Sequence, residues 1–179
     1  MFTAPVIEAT QAQASPVSVT LFGAIPGDGL DDSSAISAAL AAHEEVYLPP
    51  GIYDVAKTVY IPSRRRLTGA GMDAVTIRLM AGTVVFRVDG QRNVLISGMT
   101  LERPTLFQNQ REEMVFIYNG SKDVHLHQIR AFNSRSRAPS LLARQSENVA
   151  FTECEVSDTQ MVIFEENAWQ VYGSGITAS

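Results

Sequence analysis

The chain has 179 residues, enough for one domain with a substantial apolar core. Only 18% of them are charged and the net charge is -5, which argues against a nucleic-acid partner while excluding neither neutral nor acidic glycans. No apolar run reaches the roughly 20 residues of a membrane span, and the single cysteine, Cys154, rules out an internal disulfide.

Residues 1–17 are rich in Ala, Gln, Thr and Pro and read as an extended arm preceding a folded domain over 18–179. The same stretch lacks the basic start and long apolar centre of a secretory signal. Val17 to Leu21 alternates and predicts a first strand. Gly23, Gly27 and Gly29 then supply a tight loop, and Asp32 or Ser33 is placed to cap a helix over about 33–43. Ala35, Ile36, Ala39 and Leu40 recur at helical spacing and form its narrow apolar face. His43 stands at its end, where a cation is favourable. Asp28, Asp31 and Asp32 resemble a metal cluster on paper, but short acidic side chains in a turn before a helix more simply accept backbone amides. Val46-Tyr47-Leu48 reads as a strand, and Pro49-Pro50-Gly51 turns the chain. Ile52, Val59 and Ile61 resume the apolar pattern up to Leu67-Thr68-Gly69.

Beyond Gly71 an imperfect repeat emerges, with copies starting at Asn93, Asp123, Asn148 and, more faintly, Ala168. Aligned, they place Ile96, Leu126, Phe151 and Val171 in one inward column and Met99, Ile129 and Cys154 in a second. Cys154 therefore reads as core, not as a nucleophile. Each copy follows a short apolar strand, at Val84–Phe86, Val115–Ile117, Leu141-Leu142 and Val162–Phe164. Two or three short strands per turn, with no helix between them, point to a stacked β coil and not a βαβ fold. About five coils spaced roughly 4.8 Å apart would form a short rod. Its far end, residues 168–179, shows no evident cap, so either more chain or another subunit is expected there.

The segment Phe22-Gly23-Ala24, Gly27-Asp28-Gly29, Asp31-Asp32, Val46 to Tyr53 and Leu67 to Gly71 resembles the N-terminal part of the pectate-lyase-like superfamily. Ile25-Pro26 departs from that pattern by one extra residue. The resemblance implies an all-β fold, a single-stranded right-handed parallel β-helix with an N-terminal capping α-helix. It covers tailspikes, polysaccharide lyases, glycoside hydrolases and epimerases. The implied role is a phage or phage-like spike or fibre component in the virion. Such a protein would recognise bacterial surface polysaccharide as a homotrimer and contact other virion proteins through its arm, with no cofactor. The alternatives are an extracellular polysaccharide lyase, glycoside hydrolase or epimerase, and a structural virion protein without glycan binding.

Outward columns are where a ligand would sit. The alignment groups Ser97, His127, Thr152 and Tyr172; Leu95, His125, Ala150 and Gln170; and Thr100, Arg130 and Glu155. His125, His127, Arg130, Thr152 and Tyr172 offer hydrogen bonds and a ring face to a sugar. Arg103 and Arg111, in the long Glu102–Met114 interruption, are added as loop contacts. Glu153, Glu155, Asp158, Glu165 and Glu166 are the acids from which a hydrolase would draw its pair, but no pattern singles two out. Enzyme motifs of the superfamily are missing. Arg137-Ala138-Pro139, for instance, meets Leu142 where the lyase pattern needs arginine.

Overall fold

A computed structural model describes residues 15–80, 84–103, 113–132, 140–157, 163–164, 169–175 and 177–178, with backbone alone at 132, 163, 164, 169–173, 177 and 178. The expected arm, residues 1–14 at least, lies outside the described residues.

The strands are β1 (Val17–Ser18), β2 (Glu45–Leu48), β3 (Gly51–Val55), β4 (Val59–Tyr60), β5 (Arg65–Gly69), β6 (Val75–Leu79), β7 (Phe86–Asp89) and β8 (Arg92–Glu102). They continue with β9 (Val115–Tyr118), β10 (Lys122–Phe132), β11 (Leu141–Ala143), β12 (Glu147–Thr152), β13 (Glu155–Val156), β14 (Ile163–Phe164), β15 (Trp169–Ser174) and β16 (Thr177–Ala178). All their pairings are parallel, and the one α-helix described, α1, spans Ser33–Ala42. The result is a parallel β-helix of about five turns with three faces. The first face runs β1-β2-β5-β8-β10-β12-β15. The second joins β3 and β6 to the later halves of β8 and β10, then to β13 and β16. The third is a separate sheet, β4-β7-β9-β11-β14.

Backbone hydrogen bonds run between coils, so what fixes the stack is where each coil bends. Residues with left-handed backbone fall in columns. Arg64, Asn93, Asp123 and Asn148, with φ of 57°, 57°, 55° and 53°, stand at the start of the first face. Gly98, Gln128, Glu153 and Gly175, at 68°, 52°, 52° and 63°, mark the bend from first face to second. Gly90, Asn119 and Gln145, at 64°, 59° and 47°, follow the third face. Left-handed backbone is costly for L residues other than glycine and is best tolerated by Asn and Asp. Side chains at these corners also bond across coils: Asn148 Nδ2 donates to Asp123 Oδ1 at 2.5 Å, and Gln128 Nε2 to Glu153 Oε2 at 2.9 Å.

The interior is the expected apolar stack. Val46, Leu67, Ile96, Leu126 and Phe151 are in register on successive coils and fully buried. A buried side chain of this size contributes about 1.5–3 kcal/mol. Met99, Ile129 and Cys154 are buried as the alignment required. The fourth copy is out of register with the sequence alignment: Gly173, not Val171, lies beside Phe151, and Val171 lies beside Val149. A glycine filling an inward position leaves no mark in a hydrophobic pattern, so the alignment slid to the nearest valine.

The first end is closed by α1, whose Ile36, Ala39 and Leu40 are fully buried. Asp32 stands at the N-cap of α1, as expected, but its side chain makes no cap hydrogen bond there. Asp31 Oδ1 accepts the Ser33 amide, the Ser33 hydroxyl and the Ala56 amide, while Asp32 uses its two oxygens on the amides of Ile25 and Asp54. Asp28 accepts the Leu30 amide, so all three carboxylates serve the turn. At the helix end Arg65 supplies the cation, donating to the carbonyls of Leu40 and Ala41, and His43 packs edge-on against Phe22. The expected strand Val17–Leu21 stops after Ser18. Its hydroxyl accepts the Thr20 amide and starts a 3-10 turn, Val19–Phe22, that tucks Val19 under the lid.

Coils differ in length mainly at one place. The links from third face to first (Asp89 to Arg92, Tyr118 to Lys122, Ala143 to Glu147) are uniformly short. The links from second face to third (Leu79 to Phe86, Glu102 to Val115, Phe132 to Leu141, Val156 to Ile163) vary.

The corner columns predict a ranking of glycine substitutions. Gly98→Ala meets both a left-handed backbone and the Gly69 carbonyl oxygen, 2.6 Å from the added carbon, whereas Gly120→Ala meets only the backbone cost, with nothing within 4 Å. Gly120→Ala is expected to cost about 1–2 kcal/mol. Gly98→Ala should cost about 1–3 kcal/mol more, read as a clearly lower melting temperature by circular dichroism.

Candidate functional site

The outward side of the first and second faces brings most of the sequence candidates together. In β10 the side chains of His125, His127 and Arg130 face out because their neighbours Leu126 and Ile129 face in, with left-handed Gln128 resetting the alternation between them. On the next coil Thr152 lies beside His127, and Glu155 beside Arg130.

Three of these groups form one polar cluster. His125 Nε2 lies 2.7 Å from Thr152 Oγ1, and His127 Nδ1 lies 2.8 Å from the same oxygen. A hydroxyl has one proton and two lone pairs, so with neutral rings it donates to one imidazole and accepts from the other. Among the described residues the remaining nitrogen of each ring has no partner, which leaves it for a ligand hydroxyl. The column continues through Ser97, whose hydroxyl is 3.4 Å from that of Thr68.

Arg130 is more committed than its sequence position suggests. Its Nε donates to Glu155 Oε2 at 2.5 Å and its Nη1 to Asp73 Oδ1 at 2.7 Å, and these two contacts raise its pKa further. It forms one wall of an open cavity of about 360 Å³ with Met72, Asp73, Thr76, Thr100 and Glu102. A cavity of this size suits one or two sugar units. Of the candidate acids, Glu155 is held by Arg130 and Glu153 by Gln128. Asp158, Glu165 and Glu166 lie outside the described residues.

The other candidates are placed differently. Tyr172 occupies the column of Leu95, His125 and Ala150, not that of His127 and Thr152, because of the register shift in β15. Arg103 is fully buried and so is not displayed as a loop contact. It continues the inward parity of Met99 and Leu101 past the end of β8. Arg111 lies outside the described residues.

Sequence reasoning missed a second polar and aromatic group, on the third face. Tyr60, Arg87 and Phe116 are in register on three coils, with Asp89 and Tyr118 two residues along. Aligning the short strands that precede each copy, as the copies themselves were aligned, would have exposed that column.

Burial, reinforced by the charge of His127, pushes the His125 pKa below its ordinary 6.5. The unfolded chain then takes up a proton near pH 6.5 that the folded chain resists, so the contribution of neutral His125 is complete above that pH and is lost as pH falls toward the folded-state value. Thermal stability is expected to drop between about pH 7.5 and 5.5, and His125→Gln to flatten that drop.

Similarity to known proteins follows the fold. A pre-neck appendage protein of Bacillus phage B103 is 29% identical over 134 residues, covering 66% of this chain and 16% of that protein. This chain therefore spans well under a fifth of the length of that relative. Among solved structures, the pre-mature gene product 12 of bacteriophage phi29 superposes with a TM-score of 0.67 at 19% identity, over 91% of this chain and 29% of that one. An iota-carrageenase complexed to iota-carrageenan fragments superposes with a TM-score of 0.76 at 14% identity, over 91% of this chain and 41% of the enzyme. At such identities the structural likenesses speak for the fold alone. The family described as rhamnogalacturonase A/epimerase, pectate lyase-like, matches residues 16–178, nearly the whole coil and its lid, and the chain belongs to that family.

Proposed function

We propose that this chain is part of a phage appendage, located in the virion, that recognises a bacterial surface polysaccharide. The observation that carries the reading is the 134-residue match to a phage pre-neck appendage protein, which extends over two thirds of the chain. The geometry supports it. A rigid parallel coil displays a long polar face, on which the His125–Thr152–His127 cluster leaves ring nitrogens unspent among the described residues, and Arg130, three residues on from His127, walls a cavity open to solvent. His125, His127, Thr152 and Arg130 are the proposed contacts, with Tyr172 and the loop arginine Arg111 extending them. Arg103, being buried, positions the chain after β8 and does not touch the glycan. The assembly is a homotrimer, and the N-terminal arm joins it to other virion proteins.

Recognition and cleavage are separate questions here. Incubating the chain with a panel of bacterial capsular and surface polysaccharides should give retention of at least one polymer in a pull-down. Reducing-end and unsaturated-uronate assays on the same mixtures show whether it is also cut. His127→Ala is expected to weaken retention about tenfold or more, the size of losing a well-placed hydrogen bond and its contact. A panel with no retained polymer would overturn the reading. Retention unaffected by His127→Ala would remove the first face from it. A monomer in analytical ultracentrifugation would remove the trimer.

A further inference from the structure

The third face carries a group that the preceding reading does not use. Arg87 projects outward from β7 between Tyr60 on the coil before and Phe116 on the coil after. Its guanidinium carbon lies 6.0 Å from the Tyr60 ring centre, 5.7 Å from Phe116 and 5.6 Å from Tyr118. Phe116 and Tyr118 are themselves stacked, 4.4 Å apart and 12° from parallel. Three rings therefore hold one cation in place. Its Nε is buried with no hydrogen-bond partner, and among the described residues the guanidinium makes no hydrogen bond or ion pair. A charged fork of donors is thus fixed in position and left unspent.

Beside it stands a matching acceptor. Asp89 lies two residues further along the same strand and the same side. Each of its oxygens is steadied by one donor, the Tyr118 hydroxyl at 2.6 Å and Asn119 Nδ2 at 2.9 Å, which hold its carboxyl below the usual range. Each oxygen keeps a further lone pair. Gln91, by contrast, is largely committed: its Oε1 accepts from Ser63 and one hydrogen of its Nε2 goes to the Asp89 carbonyl. Tyr60, Ile61, Pro62, Arg87, Asp89 and Gln91 enclose a cleft of about 160 Å³, and Tyr60, 55% exposed, forms its aromatic wall.

We infer that this cleft binds a neutral pyranose unit, with its apolar ring face on Tyr60 and adjacent hydroxyls shared between the donors of Arg87 and the acceptors of Asp89. Each sugar hydroxyl both gives and takes a hydrogen bond, which a paired guanidinium and carboxylate satisfy at neighbouring positions. The two charges cancel, so the cleft offers no net attraction to a uronate or phosphate. Its size admits one ring, not an extended ligand. This inference rests on the reading of the chain as a glycan-recognising protein and adds a second contact on another face.

Nitrogen-15 NMR of the full 179-residue chain tests it, with galactotriose, maltotriose and cellotriose as neutral probes and trigalacturonate as the acidic one. At least one neutral probe should shift amide signals at 60–61, 87–91 and 116–119. Tyr60→Ala and Arg87→Ala should each weaken it by about tenfold or more, as expected for losing a ring face or a charged hydrogen-bond fork. His127→Ala should leave these shifts in place. Retained dispersion in the variant spectra separates lost binding from lost fold. Shifts confined to 125–130 and 152 would overturn the inference while leaving polysaccharide recognition standing. Silence from every neutral probe would overturn it too, and polymer retention in the pull-down would then show that the broader reading survives alone. Tighter binding of trigalacturonate than of galactotriose would overturn the neutral assignment.

Discussion

Everything in this molecule depends on each coil turning at the same point as the coil beneath it. Parallel strands gain their hydrogen bonds only from neighbours in register, and here the register is set at corners where the backbone crosses into left-handed territory. Three such columns recur from coil to coil, and four of the residues named in them, Arg64, Gln128, Glu153 and Gln145, accept the cost of left-handed backbone without being glycine, asparagine or aspartate. The stack compensates them, because every corner repeated in place keeps a whole row of backbone bonds intact. Gly98 shows the constraint at its tightest, where the Gly69 carbonyl leaves no room for a side chain.

With the corners fixed, the rest follows from parity. Leu126 faces in, so His125 and His127 face out. Gln128 resets the count, so Ile129 returns inward and Arg130 outward. The same logic brings Tyr60, Arg87 and Phe116, which are far apart in the chain, into one column on the third face. The lid obeys it too, since Asp31 and Ser33 tie α1 to the start of the first coil through the amides of Ala56 and Lys57.

Much of this was readable in the residues, and the exceptions have physical causes. The helix was evident from Ile36, Ala39 and Leu40, and the interior column from Ile96, Leu126 and Phe151, because burial of large apolar groups writes a strong period. The fourth coil was misaligned because Gly173 holds an inward position without being hydrophobic. Asp32 is the N-cap its position suggested, but the side chain that accepts the first-turn amide is that of Asp31, because neighbouring residues of identical chemistry differ in the direction their backbone gives them. Arg103 was read as a loop contact because charge suggested exposure, while parity buried it. The His125–Thr152–His127 cluster was half visible: its residues were aligned, but the sharing of one hydroxyl by two rings depends on side-chain conformation. The aromatic cradle of Arg87 leaves no local motif, since its residues come from three coils, and only an alignment of the third-face strands brings them together.

The unequal links between second and third faces carry an evolutionary consequence. Two edges of the rod cannot lengthen without breaking the vertical rows, but the third edge is free to vary, coil by coil, between Leu79 and Phe86, Glu102 and Val115, or Phe132 and Leu141. New sequence can be spliced in there at little risk to the scaffold. A lineage under pressure to change its surface would then diversify along that seam, while the interior stayed recognisable as the same molecule.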